Sequence, residues 1–184
     1  MSATECIALI RGINVGRGNR LAMADLRGLL ADLGLQNVRT LLNSGNVVFQ
    51  CALPNVRKLS AAIAAAIEGH SGFSASVMVM TAKDLAAIVE ENPLLPVAKD
   101  PARHLVAFVS DAKHLAALRP LLEKTWKPDA LAVTQRAAYL WCCTGILESK
   151  LNKAFARLGG STVTARNWAT VLKLHTAAQA TAKP

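Results

Sequence analysis

A pattern of apolar runs and breakers that occurs twice restricts the fold of this chain more than any other feature. In the first half, "CIALIR", Cys6–Arg11, reads as a strand. Met23, Leu26, Leu29, Leu30 and Leu33 then recur at helical spacing, closed by Gly34. "VRTLL", Val38–Leu42, and "NVVFQ", Asn46–Gln50, are two strands around the turn "NSG", Asn43–Gly45. Pro54 opens a helix with Val56, Leu59, Ile63 and Ile67 on its apolar face, and "SVMVM", Ser76–Met80, is a fourth strand. A further helix is capped by Thr81, with Asp84 three residues on as in a capping box. It ends at "NPLLP", Asn92–Pro96, which reads as a linker.

The second half repeats this order. "HLVAFVS", His104–Ser110, is a strand, and Leu115, Leu118, Leu121 and Leu122 mark a helix that Pro120 should kink. "LAVTQ", Leu131–Gln135, and "AYLWCC", Ala138–Cys143, form a hairpin around Arg136–Ala137. Leu147, Leu151, Phe155 and Leu158 mark the next helix, Gly159–Gly160 stop it, and "STVT", Ser161–Thr164, is a short strand. The last helix opens with "TARNWATVLKL", Thr164–Leu174, which matches "TAKDLAAIVEE", Thr81–Glu91, in register. The reading is α+β: a tandem duplication of a ferredoxin-like βαββαβ module, each copy followed by an extra helix. Each sheet should be antiparallel with strand order 4-1-3-2. The units are residues 1–92, residues 93–176 and a flexible tail over 177–184, with disorder expected from Thr176 onward.

The chain has 184 residues, 52% of them hydrophobic and 18% charged, enough to bury a sizeable core. No apolar run reaches the ~18 residues of a membrane span, and the N-terminus lacks the pattern of a secretory signal. A cytoplasmic protein follows. Cys6, Cys51, Cys142 and Cys143 show no metal-ligand spacing and read as small buried hydrophobes in a reducing compartment, so no metal or cofactor is called. Residues 1–92 hold 8 Lys and Arg against 7 Asp and Glu, whereas residues 93–184 hold 13 against 5. That asymmetry suits an anionic partner for the second half, or simply a soluble basic protein.

The opening loop is the principal candidate site. "RGINVGRGNR", Arg11–Arg20, is longer than the ~2–6 residues that usually join strand to helix, and it carries three Gly and three Arg. The expected topology puts this loop and the hairpin turn at the same end of the sheet, making Arg11, Gly12, Asn14, Gly16, Arg17, Ser44 and Asn46 neighbours. Backbone N–H groups at the glycines, with an arginine, suit a phosphate or carboxylate. The spacing is neither the dinucleotide fingerprint nor a P-loop, and a purely structural loop is the rival reading. At the opposite end of the second module, Lys150, Arg166 and Asn167 are expected to converge as a second anion contact. Arg166, read as one residue into the last helix, is a cation where a helix dipole disfavours one.

"RGINVG", "SGNVVF", "YLWCCTGILESKL" and "TARNW", in that order, resemble the bacterial family known as domain of unknown function 1697, from about Cys6 to Leu174. The resemblance implies a tandem ferredoxin-like fold and no settled function. Cys143 and Leu147 stand where the family pattern is glycine-rich with a proline, and Ala169 follows the Trp where an Asn is usual.

The leading expectation is therefore a protein that binds a small anionic or phosphate-bearing ligand, such as a nucleotide. The alternatives are non-specific nucleic-acid binding through the basic half, and an enzyme using the same pocket. Base stacking on strand aromatics, as in the RNA-recognition motif, has only Phe49 in the first half and Phe108, Tyr139 and Trp141 in the second, where core packing is the plainer role. No side-chain set points to a particular reaction.

Overall fold

The computed structural model describes residues 3–180 apart from Arg17, Leu53 and Ala112. The chain is α+β, with two four-stranded antiparallel sheets, each accompanied by helices. The first part runs β1 (Thr4–Arg11), α1 (Met23–Asp32), β2 (Gln36–Leu41), β3 (Asn46–Cys51), α2 (Val56–Ser71), β4 (Ser76–Thr81) and α3 (Ala82–Glu90). The second runs β5 (His104–Val109), α4 (Lys113–Ala116), a 3-10 turn (Arg119–Leu121), β6 (Ala130–Val133), β7 (Ala137–Trp141), α5 (Lys150–Gly159), β8 (Val163–Asn167) and α6 (Trp168–Gln179). The sheet orders are β2-β3-β1-β4 and β6-β7-β5-β8, the same plan twice and the expected one. Contacts divide the chain into two compact units, Met1–Ala86 with Lys173–Pro184, and Ala87–Leu172. Among the described residues no helix is long and apolar enough to cross a membrane.

In the first unit, Cys6, Ala8 and Ile10 of β1 share a core with Val47 and Phe49 of β3, Leu26 and Leu30 of α1, and Ile63 and Ile67 of α2. Ile7, Leu9, Val48, Met78 and Met80, on the other face, are buried too. Burial on both faces is why β1 is a continuous apolar run rather than an alternating one. In the second unit, Leu105 and Ala107 of β5 and Ala138 and Leu140 of β7 share one core with Leu115, Leu118 and Leu121 and with Leu151 and Phe155 of α5. Tyr139 is fully buried, and its hydroxyl donates to Ile88 O at 2.7 Å. Phe49 and Phe108 are also buried, so none of these three can stack on a base.

The capping box at Thr81 forms as expected. Thr81 Oγ1 accepts from Asp84 N at 3.1 Å, and Asp84 Oδ2 accepts from Thr81 N at 3.2 Å. Four local expectations are corrected. First, "TARNW" is the last strand and not a helix start: Thr164 is buried in β8, and α6 opens at Trp168. Thr81 pairs with Cys6 and Asn167 pairs with Leu105, so the residue equivalent to Thr81 is Asn167, three positions later than the matching letters suggest. Asn167 Oδ1 accordingly caps α6 by accepting from Thr170 N at 2.9 Å. Second, Leu147 is 78% exposed, because Ser149 caps α5 and places Leu147 upstream of it; Leu158 is half-exposed too. Third, Pro54 precedes the cap residue Asn55 instead of opening α2. Fourth, the last helix continues to Gln179, because Leu174 and Ala178, four residues apart on one face, are both buried. Residues 181–184 lie outside the described residues.

Candidate functional site

The opening loop is clipped shut at its base. β1 ends at Arg11, Gly12 turns the chain at φ +88°, and buried Ile13 and Leu21 anchor the two sides. Between them Asn14, itself at φ +54°, is bonded on every side. Its N–H donates to Asn19 O at 2.8 Å, and its Nδ2 donates to Leu21 O at 2.9 Å and Asn43 O at 3.3 Å. Its Oδ1 accepts from Leu21 N at 3.0 Å. Asn19 Nδ2 closes the same neck by donating to Gly12 O at 3.0 Å. Asn is among the few side chains that tolerate positive φ, and it can replace missing backbone partners locally.

The hairpin turn lies against this neck. Ile10 N donates to Gly45 O at 2.7 Å, which seats the turn on the end of β1. Gly45 has φ +71°, and a Cβ there would stand 2.6 Å from Ile10 O and 2.9 Å from Ile10 Cβ. Only glycine fits without moving backbone. Asn46 is fully buried, and its Nδ2 donates to Leu41 O at 3.2 Å and Ser44 Oγ at 2.8 Å. The expected meeting of Asn14 with the Ser44 turn is thus present, through the Asn43 carbonyl. The amides of Asn14 and Asn46 are committed to building the two loops.

Beyond the neck, the loops present Val15, 71% exposed, and Gly16 at φ +61°, together with exposed Gly18, Arg20, Asn43 and Ser44. Leu42, at φ +59°, is 51% exposed on the adjoining turn. Arg11 and Gly12 are half-buried at the base. Arg17 lies outside the described residues. Sequence reasoning missed Val15, Leu42 and Gly45. For Gly45 the signal was present, since a glycine ending a tight turn beside a strand often marks close backbone approach.

The second patch does not assemble as expected. Lys150 is the first residue of α5, exposed, beside the cap in which Ser149 Oγ accepts from Asn152 N at 2.9 Å. Asp129 holds that corner: its Oδ1 accepts from Cys143 N at 2.8 Å and its Oδ2 from Ser149 Oγ at 2.7 Å. Arg166 lies in β8 opposite Val106, whereas Leu105 and Ala107 point into the core beneath α5. Side chains alternate across a strand. Arg166 is therefore on the sheet face away from Lys150, and it is not a helix-start cation. Asn167 is the cap of α6.

Burial, rather than chemistry, sets the shifted titrations. It pushes the Cys6 thiol up to about 12 and raises that of Cys142, and both residues are fully buried, so neither is a ready nucleophile. His104 is fully buried, stacked on Trp168 at 5.3 Å between ring centroids, and burial lowers its pKa to about 4. Its Nε2 lies 3.5 Å from Asn92 Nδ2, and its Nδ1 has no hydrogen-bond partner among the described residues. Among the described residues, no group of three or more His, Cys, Asp or Glu is placed to hold a metal ion.

The order of these strands and loops can be set beside known proteins. The family model described as protein of unknown function, DUF1697, matches residues 3–139. The chain belongs to the DUF1697 family. The resemblance carried by "RGINVG" and "SGNVVF" is thereby shown, and in this DUF1697 member those two motifs are the loop and the turn that Asn14 joins. Among solved structures, the conserved bacterial protein SP0830 from Streptococcus pneumoniae is similar, with a TM-score of 0.80 and 24% sequence identity. The likeness covers 96% of this chain and 99% of that one, and at this identity it concerns the fold. No curated protein matches the chain.

Proposed function

We propose that the first unit binds a small ligand carrying an anionic or phosphate group, at the loop 11–20 and the turn 43–46. The observation that carries the reading is the neck at Asn14. Three side-chain hydrogen bonds and one backbone bond hold a basic, glycine-containing loop in a defined shape against a second loop. A slack connection has no use for such bracing, and rigidly presented loops are where binding residues concentrate. Asn14 and Asn46 shape the site. Arg11 and Arg20 supply charge, Ser44 a hydroxyl, and the backbone at Gly12 and Gly16 close approach. Arg17, by sequence, belongs to the same loop. The exposed Val15 and Leu42 give the site an apolar side, which suits a ligand that joins a phosphate to a flat or apolar part, such as a nucleotide.

In the same reading residues 1–92 and 93–176 are two copies of a ferredoxin-like module that have specialised. The first copy carries the long loop, whereas the second passes from β5 to α4 within a few residues. The four free cysteines fit a cytoplasmic setting. Calorimetry with nucleotides and phosphosugars tests the site. One member of the panel should bind at micromolar Kd, and Arg11→Ala should weaken it at least ~10-fold, the worth of a lost charged hydrogen bond. Absence of binding across the panel, or an unchanged Kd in Arg11→Ala, refutes the reading.

A further inference from the structure

The two units provide an internal comparison of charge. In the first, α1 and α2 carry Arg27, Arg57 and Lys58 against Asp25, Asp32 and Glu68, a balanced set. In the second, residues 113–127 and 150–159 cover the equivalent sheet face, and they carry Lys113, Arg119, Lys124, Lys127, Lys150, Lys153 and Arg157 against Glu123 alone. All seven cations are exposed. Elsewhere in this unit two arginines are ion-paired: Arg103 with Asp100 at 3.1 Å and Arg136 with Glu91 at 2.8 Å. In the helical layer only Lys113 has an ion pair among the described residues, with Asp111 at 3.6 Å. The nearest acids by sequence to α5 are Glu148 and Asp129, and Asp129 is already occupied by Cys143 N and Ser149 Oγ.

The arrangement on α5 is linear. Lys150, Lys153 and Arg157 stand at i, i+3 and i+7, opposite the buried Leu151 and Phe155. They form one stripe about 10 Å long at 1.5 Å rise per residue. Lys150 also opens the helix, where the dipole disfavours a cation by a few tenths to about 1 kcal/mol. Leu151 and Phe155 of α5 are committed to its own core and Leu158 alone among its large apolar residues is half-exposed, which argues against insertion into a lipid surface. Phe108, Tyr139 and Trp141 stand on the sheet face away from α5, out of phase with Leu105, Ala107 and Leu140, which leaves charge, and not stacking on strand aromatics, as the means of recognition on this face.

We propose that this outer face, centred on Lys150, Lys153 and Arg157, docks the phosphate backbone of nucleic acid without reading its sequence. The proposal is independent of the ligand site in the first unit. Fluorescence anisotropy with labelled 20-base-pair duplexes of two unrelated sequences, in DNA and RNA forms, tests it. At 50 mM salt both sequences should bind alike. Affinity should fall roughly 100-fold by 200 mM, as expected for about four contacted phosphates. The variant Lys150→Gln/Lys153→Gln/Arg157→Gln should weaken binding at least ~10-fold and flatten the salt slope by about three-quarters, since each phosphate contributes about 0.9 to it. The control Arg27→Gln/Lys58→Gln/Lys83→Gln removes the same charge from the first unit and should change affinity less than ~3-fold. Circular dichroism of both variants confirms folding, and Arg11→Ala should leave duplex binding intact. No binding at 50 mM, a salt-independent affinity, or an equal loss in both triple variants overturns the proposal. So does tighter binding to polyglutamate or phosphatidylserine vesicles at matched charge.

Discussion

Gly45 and Asn14 do comparable work by opposite means. Gly45 lets two backbones touch by having no side chain, and Asn14 replaces missing backbone partners with its own amide. Substituting Gly45 with Ala would set a Cβ 2.6 Å from the Ile10 oxygen at a positive φ. The expected cost is about 2 kcal/mol or more, from the left-handed penalty together with a forced shift of β1. It is read as a lowered midpoint in urea, and a loss below ~0.5 kcal/mol would mean the turn does not sit where it is described. The Asn14–turn contact was legible from topology alone, because the strand order β2-β3-β1-β4 brings the first crossover loop and the next hairpin turn to one end. The orientation of the amide was not, since the same letters serve a ligand or a backbone equally well. Likewise the cation at Arg166 could be placed in a helix only by assuming where that helix began.

Elements were legible where a hydrophobic period met a breaker. β1, α1, β3, α2, β4 and α3 all fall within a few residues of their sequence limits, because Gly34, Asn43–Gly45 and Gly72 interrupt clear apolar periods. The second unit was harder to read. "TARNW" and "TAKDL" share letters because Thr, Asn and Asp all suit a strand-to-helix corner, yet only ladder pairing reveals which one occupies it. The structural equivalence of Thr81 and Asn167 has a direct consequence. Thr81→Ala and Asn167→Ala should each cost about 1 kcal/mol, as lost helix caps do. Thermal unfolding checks this. If Asn167→Ala were neutral, the helix would not begin at Trp168. Leu147 misled for a related reason. A leucine at helical spacing upstream of Ser149 mimics a core position until the cap is located.

At the scale of the molecule, acid should act through His104. Its pKa in the fold, about 4, lies below the ordinary 6.5 because burial penalises the charged ring. The unfolded chain therefore binds the extra proton first. Stability is fully present above pH 6.5, declines as pH falls through 6.5 towards 4, and is lost from this source below about 4. The shift corresponds to about 3 kcal/mol. Urea midpoints between pH 7 and pH 4 should fall in the natural chain and fall less in His104→Gln, whereas parallel curves for the two proteins would contradict the assignment. A last consequence follows from the assignment of Lys173–Pro184 to the same unit as β1. Residues 87–172 are contiguous and can close on local chain alone, whereas the unit that holds β1 cannot be completed until the polypeptide has passed through the whole of the other unit and returned.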